Sequence, residues 1–79
     1  GQTIDDATIT AQAKTALLAN RSTSALDTNV DTKDGIVTIT GIANNQAEKD
    51  LVTRIVADIG GVKGVINDMT VQEPASFTE

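Results

Sequence analysis

Aspartates are the residues of this sequence that could most readily act in acid–base catalysis or bind a metal ion. Five of them fall in the first half of the 79-residue chain, namely Asp5, Asp6, Asp27, Asp31 and Asp34. General acid–base catalysis requires a carboxylate in a pocket, with a shifted pKa and a partner beside it. The local pattern instead places these five at a helix start, on the polar face of a strand and in a turn. Helix capping and solubility therefore explain them better than catalysis does.

A calcium site is the next chemistry to consider, because Asp27, Asn29 and Asp31 have the spacing with which an EF-hand loop begins. Such a loop then requires glycine where Thr32 stands and a bidentate glutamate where Thr38 stands. Neither requirement is met. The two aspartates are better explained as acids on the solvent-exposed face of a strand.

Other residues that commonly carry catalysis are missing from the sequence. It contains no histidine and no cysteine, which excludes a histidine general base and zinc ligation by these residues within the chain. Ser22, Thr23 and Ser24 have hydroxyl groups but no histidine to activate them. We therefore expect neither an enzyme nor a cofactor or metal site.

The charge pattern limits the possible partners. The net charge is −5, from eleven acidic and six basic residues, and the basic residues are scattered along the chain. Without a basic run to neutralise phosphates, nucleic-acid binding is not expected. No apolar stretch approaches the roughly 18 residues of a membrane span, so we expect no transmembrane segment. The isolated domain is expected to be monomeric.

The elements of the first half follow from residue periodicity. Apolar residues recurring every three or four positions predict a helix over 4–19, capped by Thr3 with Asp6 as capping-box partner. The polar stretch 20–24 is predicted to end this helix. Polar and apolar residues then alternate over 26–33 and again over 36–40, which predicts two half-buried strands.

The pair Asp34-Gly35 between those strands predicts a type I′ hairpin turn, which requires positive φ at both central residues. This register places Val37 and Ile39 on the core face together with Val30. Gly41 falls on the same face, where the missing side chain would let a helix come close.

The second half predicts one more helix and one more strand. A broad apolar stripe centred on Leu51 and Ile55 predicts a helix from about 45 to 59, ended by a Gly60-Gly61 cap. A third strand is predicted over 62–71. Val65, Met69 and Val71 are expected on one face of it, together with Asn67.

The resulting fold class is α+β, a single small domain over 4–72 with element order α-β-β-α-β, followed by a tail or linker at 73–79. A strand–helix–strand crossover makes its two strands parallel. The second strand therefore lies in the middle of a three-stranded mixed sheet, antiparallel to the first and parallel to the third. Both helices are expected on one face of this sheet, because each strand has a single apolar face.

Two places are candidates for binding. Asn67 is a polar amide on an apolar face, and we expect it to bond backbone near Gly41 or the end of the first helix rather than a ligand. The second is an exposed apolar and basic lip at the end of the second helix, whose alternative explanation is a helix cap and a tight turn. It consists of Gly60, Gly61, Val62, Lys63 and Gly64.

Two segments together resemble the BON domain, a bacterial family named for osmotically induced and nodulation-related proteins. The first is the hairpin 34–41, whose signature residues are Asp34, Gly35, Val37, Ile39 and Gly41. The second is the segment 61–67, whose signature residues are Gly61, Val62, Val65 and Asn67. Both are structural rather than catalytic signatures, and the resemblance covers about 4–72.

The resemblance implies a non-catalytic module of the bacterial cell envelope, periplasmic or envelope-associated and connected with osmotic stress. It implies a role in contacting phospholipid or another envelope component. The alternative is a protein-interaction or assembly domain that uses the open edges of the sheet within a larger envelope protein.

Overall fold

The computed structural model describes residues 4–24 and 26–72, and Thr3 and the tail at 73–79 lie outside this part. The first helix, α1, spans Asp6–Ala19, and a single-turn helix, α2, spans Arg21–Ser24. Strands β1 (Asp27–Lys33) and β2 (Ile36–Ala43) follow, then α3 (Gln46–Ala57), and finally β3 (Gly64–Asn67) and β4 (Thr70–Val71). The α-β-β-α-β order predicted from the sequence is confirmed, with one added helical turn.

The sheet is mixed and has β2 at its centre. β1 pairs antiparallel with β2, setting Val30 opposite Ile39, and β3 and β4 both pair parallel with β2. The predicted third strand is thus interrupted at 68–69, although the pairings before and after the gap keep one register. The interruption lies opposite Gly41, whose φ of 129° is outside the range of a regular strand.

Both long helices pack against the same face of the sheet, α1 beside β1 and α3 against β2 and β3. The predicted core-face residues Val30, Val37 and Ile39 are buried, as is Met69. Ile9, Ala13 and Leu17 complete the core from α1, and Val52 and Val56 complete it from α3. No described helix covers the opposite face of the sheet. Along each strand, the side chains on that face alternate with those that point into the core.

The prediction that Leu51 and Ile55 form the buried centre of the second helix was wrong by one position. Val52 and Val56 are fully buried, whereas Leu51 and Ile55 are only half-buried. The apolar stripe is broad enough to include both pairs, and packing against β2 and β3 turns the valines inward. The helix begins at the expected place, because the Glu48 amide donates to the Asn45 side chain at 2.8 Å.

The predicted hairpin turn is confirmed, since Asp34 has a φ of 53° and Gly35 a φ of 82°. Gly35→Val should destabilise the domain by about 1–3 kcal/mol, because a β-branched residue resists positive φ. Gly60→Ala is the matched control, since a Cβ at Gly60 meets no atom within 4 Å. Guanidinium unfolding followed by circular dichroism measures both variants. Equal stability of the Gly35→Val variant and the wild type would refute this turn.

Candidate functional site

The lip predicted at 60–64 consists of the end of the connection between α3 and β3 and the first residue of β3, and we call it the tip. α3 ends at Ala57 with Asp58 as its C-cap, so the predicted Gly60-Gly61 helix cap was wrong. Gly61 does adopt a φ of 92°, but it serves a separate turn in which the Val62 amide donates to the Ile59 carbonyl at 3.3 Å. A positive φ at the third position of such a turn favours glycine.

Contacts on two sides fix the tip within the fold. Ile4 lies against Gly61, where a Cβ would be 2.8 Å from the Ile4 Cγ2 atom. The Lys63 amide donates to the Gly35 carbonyl at 2.8 Å, and the aliphatic part of Lys63 covers Gly35. Val62 packs against the core. The tip therefore meets the hairpin turn and the start of α1 at one end of the molecule.

Asp6 joins two of these three segments. Its carboxylate accepts the Asp34 amide at 2.9 Å and the Gly35 amide at 3.0 Å, so α1 holds the hairpin turn directly. The predicted role of Asp6 as a capping-box partner was wrong. The partners lie 28 and 29 residues away along the chain, and no local pattern signals such a contact.

Asp5 caps α1, and the predicted cap, Thr3, lies outside the described residues. The Thr8 amide donates to the Asp5 carboxylate at 2.9 Å. This bond, aided by the Thr8 hydroxyl, lowers the pKa of Asp5, because it stabilises the charged form. A negative charge also suits the positive end of the helix dipole.

The remaining acids do not converge on a site. Asp27 and Asp31 are exposed on the outer face of β1, and Asp34 lies in the hairpin turn. The segment 27–31 is extended strand rather than a calcium loop. Within 4–24 and 26–72, no group of three or more acidic side chains is arranged to hold a metal ion.

Asn67 bonds α3 instead of the segments expected from the sequence. Its Nδ2 donates to the Lys49 carbonyl at 2.9 Å and to the Thr53 hydroxyl at 2.7 Å. Its Oδ1 accepts the Met69 amide at 2.9 Å. The prediction of partners near Gly41 or at the end of α1 was therefore wrong. The half-buried amide instead fixes α3 to the strand and spans the interruption at 68–69.

Asn67→Leu should cost about 1–3 kcal/mol of unfolding free energy, because it leaves the buried Met69 amide without its acceptor. Asn67→Asp is the informative comparison. The aspartate keeps an acceptor for the Met69 amide. It loses the Nδ2 donor that bonds the Lys49 carbonyl and the Thr53 hydroxyl on α3. Chemical unfolding of the three proteins checks this expectation. Wild-type stability in Asn67→Leu would mean that the amide is free for a ligand.

The hydroxyl residues at 22–24 belong to α2, within the stretch predicted to be a polar break after α1. Thr23 is buried, and its hydroxyl donates to the Leu17 carbonyl at 2.5 Å. This bond adds a second donor to a carbonyl in the last turn of α1 that also accepts the Asn20 amide at 3.4 Å. Among the described residues, every buried side-chain polar atom has a hydrogen-bond partner.

The fold defines a small α+β domain in which Asp5, Asp6 and Asn67 hold structural contacts. The chain belongs to the BON domain family, whose model matches residues 5–73. It is similar to osmotically-inducible protein Y of Escherichia coli (strain K12), with 34% identity over 64 residues. This alignment covers 81% of the chain and 32% of that relative, so the chain spans about a third of the relative's length. Among the described helices, none is long and apolar enough to cross a membrane.

Proposed function

We propose that this chain is a non-catalytic binding module of the bacterial cell envelope, acting in the periplasm or on an envelope surface. The observation that supports this proposal most is that the side chains with the best chemical potential make structural hydrogen bonds. Asp5, Asp6 and Asn67 are each engaged in bonds that hold helices, hairpin and strands together. Such an arrangement favours binding through a surface over catalysis in a pocket.

An association with osmotic stress is part of the same proposal. It rests on membership of the BON family and on the similarity to a protein named for its osmotic induction. Because the chain matches only part of that relative, we propose that it acts together with other parts of a longer protein.

Phospholipid is the first candidate for the bound component, and the tip is the candidate contact. Its exposed Gly60 and Lys63 suit a surface that approaches headgroups. Acids nevertheless outnumber bases at this end of the molecule. The acids are Asp5, Asp6, Asp34 and Asp58, and the bases are Lys33 and Lys63. A lone domain should therefore have little affinity for an anionic surface.

The chain alone should stay in the unbound fraction when floated with anionic vesicles at ~0.15 M salt. Each lysine near a membrane contributes only about 1 kcal/mol, and the neighbouring acids oppose it. A lipid anchor or second domain in a longer protein would supply the missing affinity through avidity. Clear flotation with anionic but not neutral vesicles, abolished by Lys63→Glu, would contradict this expectation and make the tip a lipid site.

A protein component of the envelope is the second candidate, and the free edge of β1 favours it. Among the described strands β1 pairs only with β2, so its other side is open to an added strand. Binding of the chain to native envelope membranes tests the proposed function for both candidates. Treating those membranes with protease then separates a protein partner from lipid.

A further inference from the structure

A cleft of about 260 Å³ lies between α1 and the start of β1. Leu17, Leu18 and Lys14 line it from α1, and Leu26 and Thr28 line it from the strand side. Its described walls come only from α1, α2 and the stretch 26–29, so it opens at the outer edge of the sheet. It is smaller than the roughly 300–1,000 Å³ of sites for drug-sized ligands, and suits one or two side chains.

The free edge of β1 runs along this cleft. An extended segment can add to such an edge through main-chain hydrogen bonds, and its alternate side chains then point to opposite faces. On the core side they enter the cleft beside Leu18, which is 68% exposed, and Leu26. Aliphatic residues fit this side.

The other face of the same edge carries two acids and one base. Asp27 and Asp31 are exposed there, two positions to either side of Asn29, and Lys33 is exposed at the hairpin end of the strand. Residues of an added strand lie about 4.5–5.5 Å from those opposite them, where opposite charges stabilise and like charges destabilise. Lysine or arginine therefore fits this side opposite Asp27 and Asp31.

We propose that the β1 edge binds an extended segment of a partner protein in which aliphatic residues alternate with lysine or arginine. A second copy of the chain is a poorer occupant, because it carries the same acids and a net charge of −5. The residues at 73–79 include two glutamates and no basic residue, which also match the edge poorly. This inference rests on the proposed binding function and names a partner for it.

The test is an NMR titration with a peptide of about eight alternating valines and lysines, long enough to span the seven residues of β1. Shifts should be confined to the amides at 27–33 and the methyl groups of Leu17, Leu18 and Leu26. A peptide of alternating valine and glutamate should not bind. Asp31→Lys should weaken binding of the first peptide and strengthen binding of the second.

Leu18→Asp should weaken binding roughly tenfold or more without unfolding the domain, because this side chain is mostly exposed. Ile66→Asp, exposed on β3, is the matched control and should leave peptide affinity unchanged. Equal binding of both peptides, shifts on both sheet edges, or no shifts would overturn the proposal. Wild-type and Leu18→Asp chains that bind native envelope membranes equally would overturn the edge site alone, leaving the binding function intact.

Discussion

Replacing Gly41 with alanine is expected to prevent this domain from folding. An added Cβ would lie 1.8 Å from the Asp27 carbonyl oxygen and 2.8 Å from its carbonyl carbon. Both are backbone atoms of the neighbouring strand, so no side-chain movement relieves the clash. The φ of 129° adds strain, because residues with a Cβ rarely adopt it. Relief would require the start of β1 to separate from β2, where Thr28 pairs with Gly41.

Gly64→Ala is the matched control for Gly41→Ala. It also lies in the sheet, but its Cβ would meet only the mobile end of Ile36, at 3.1 Å. We expect the Gly64→Ala protein to be soluble and to unfold cooperatively, while Gly41→Ala shows neither property. Circular dichroism and amide NMR dispersion measure both. A folded Gly41→Ala domain within about 1 kcal/mol of wild type would contradict the tight approach of the two strands.

Ile39→Ala should cost about 2–5 kcal/mol, the second-largest effect expected. Ile39 lies in the central strand β2, and its side chain is fully buried in the core on the face that the helices cover. Domains have roughly 0.05–0.15 kcal/mol of stability per residue, so this loss is a large share of the total for 79 residues. The variant should be marginally folded at room temperature.

Leu18→Ala and Leu51→Ala serve as graded controls for this core prediction. Leu18 is mostly exposed and its truncation should be near neutral, whereas half-buried Leu51 should fall between the two. Guanidinium unfolding of the series gives the order directly. A loss at Leu51 as large as the loss at Ile39 would mean that α3 turns a different face to the sheet.

The elements that followed from the sequence are those with strong local signals. Asp34-Gly35 between two alternating runs identified the hairpin, because the turn type and the strand faces impose the same register. Val30, Val37 and Ile39 were assigned to the core for the same reason. The crossover rule then ordered the sheet around β2.

The features that sequence reasoning missed depend on contacts distant along the chain. Asp6 reaches a turn 28 residues away, and the partners of Asn67 depend on where α3 crosses the strand. Thr23 forms a helical turn within a stretch whose composition is typical of a loop. Gly41 was expected to face a helix, but the backbone it accommodates is that of β1. Composition and periodicity contain no signal for these tertiary contacts.

The measurement that tests the central claim most directly is cosedimentation of the chain with native bacterial envelope membranes at ~0.15 M salt. A protein of similar size and net charge serves as the control. We expect specific binding to untreated membranes and loss of most of it after the membranes are treated with protease, because the acids around the tip oppose binding to phospholipid alone. Sedimentation no greater than that of the control protein, with untreated and treated membranes alike, would contradict a role as an envelope-binding module.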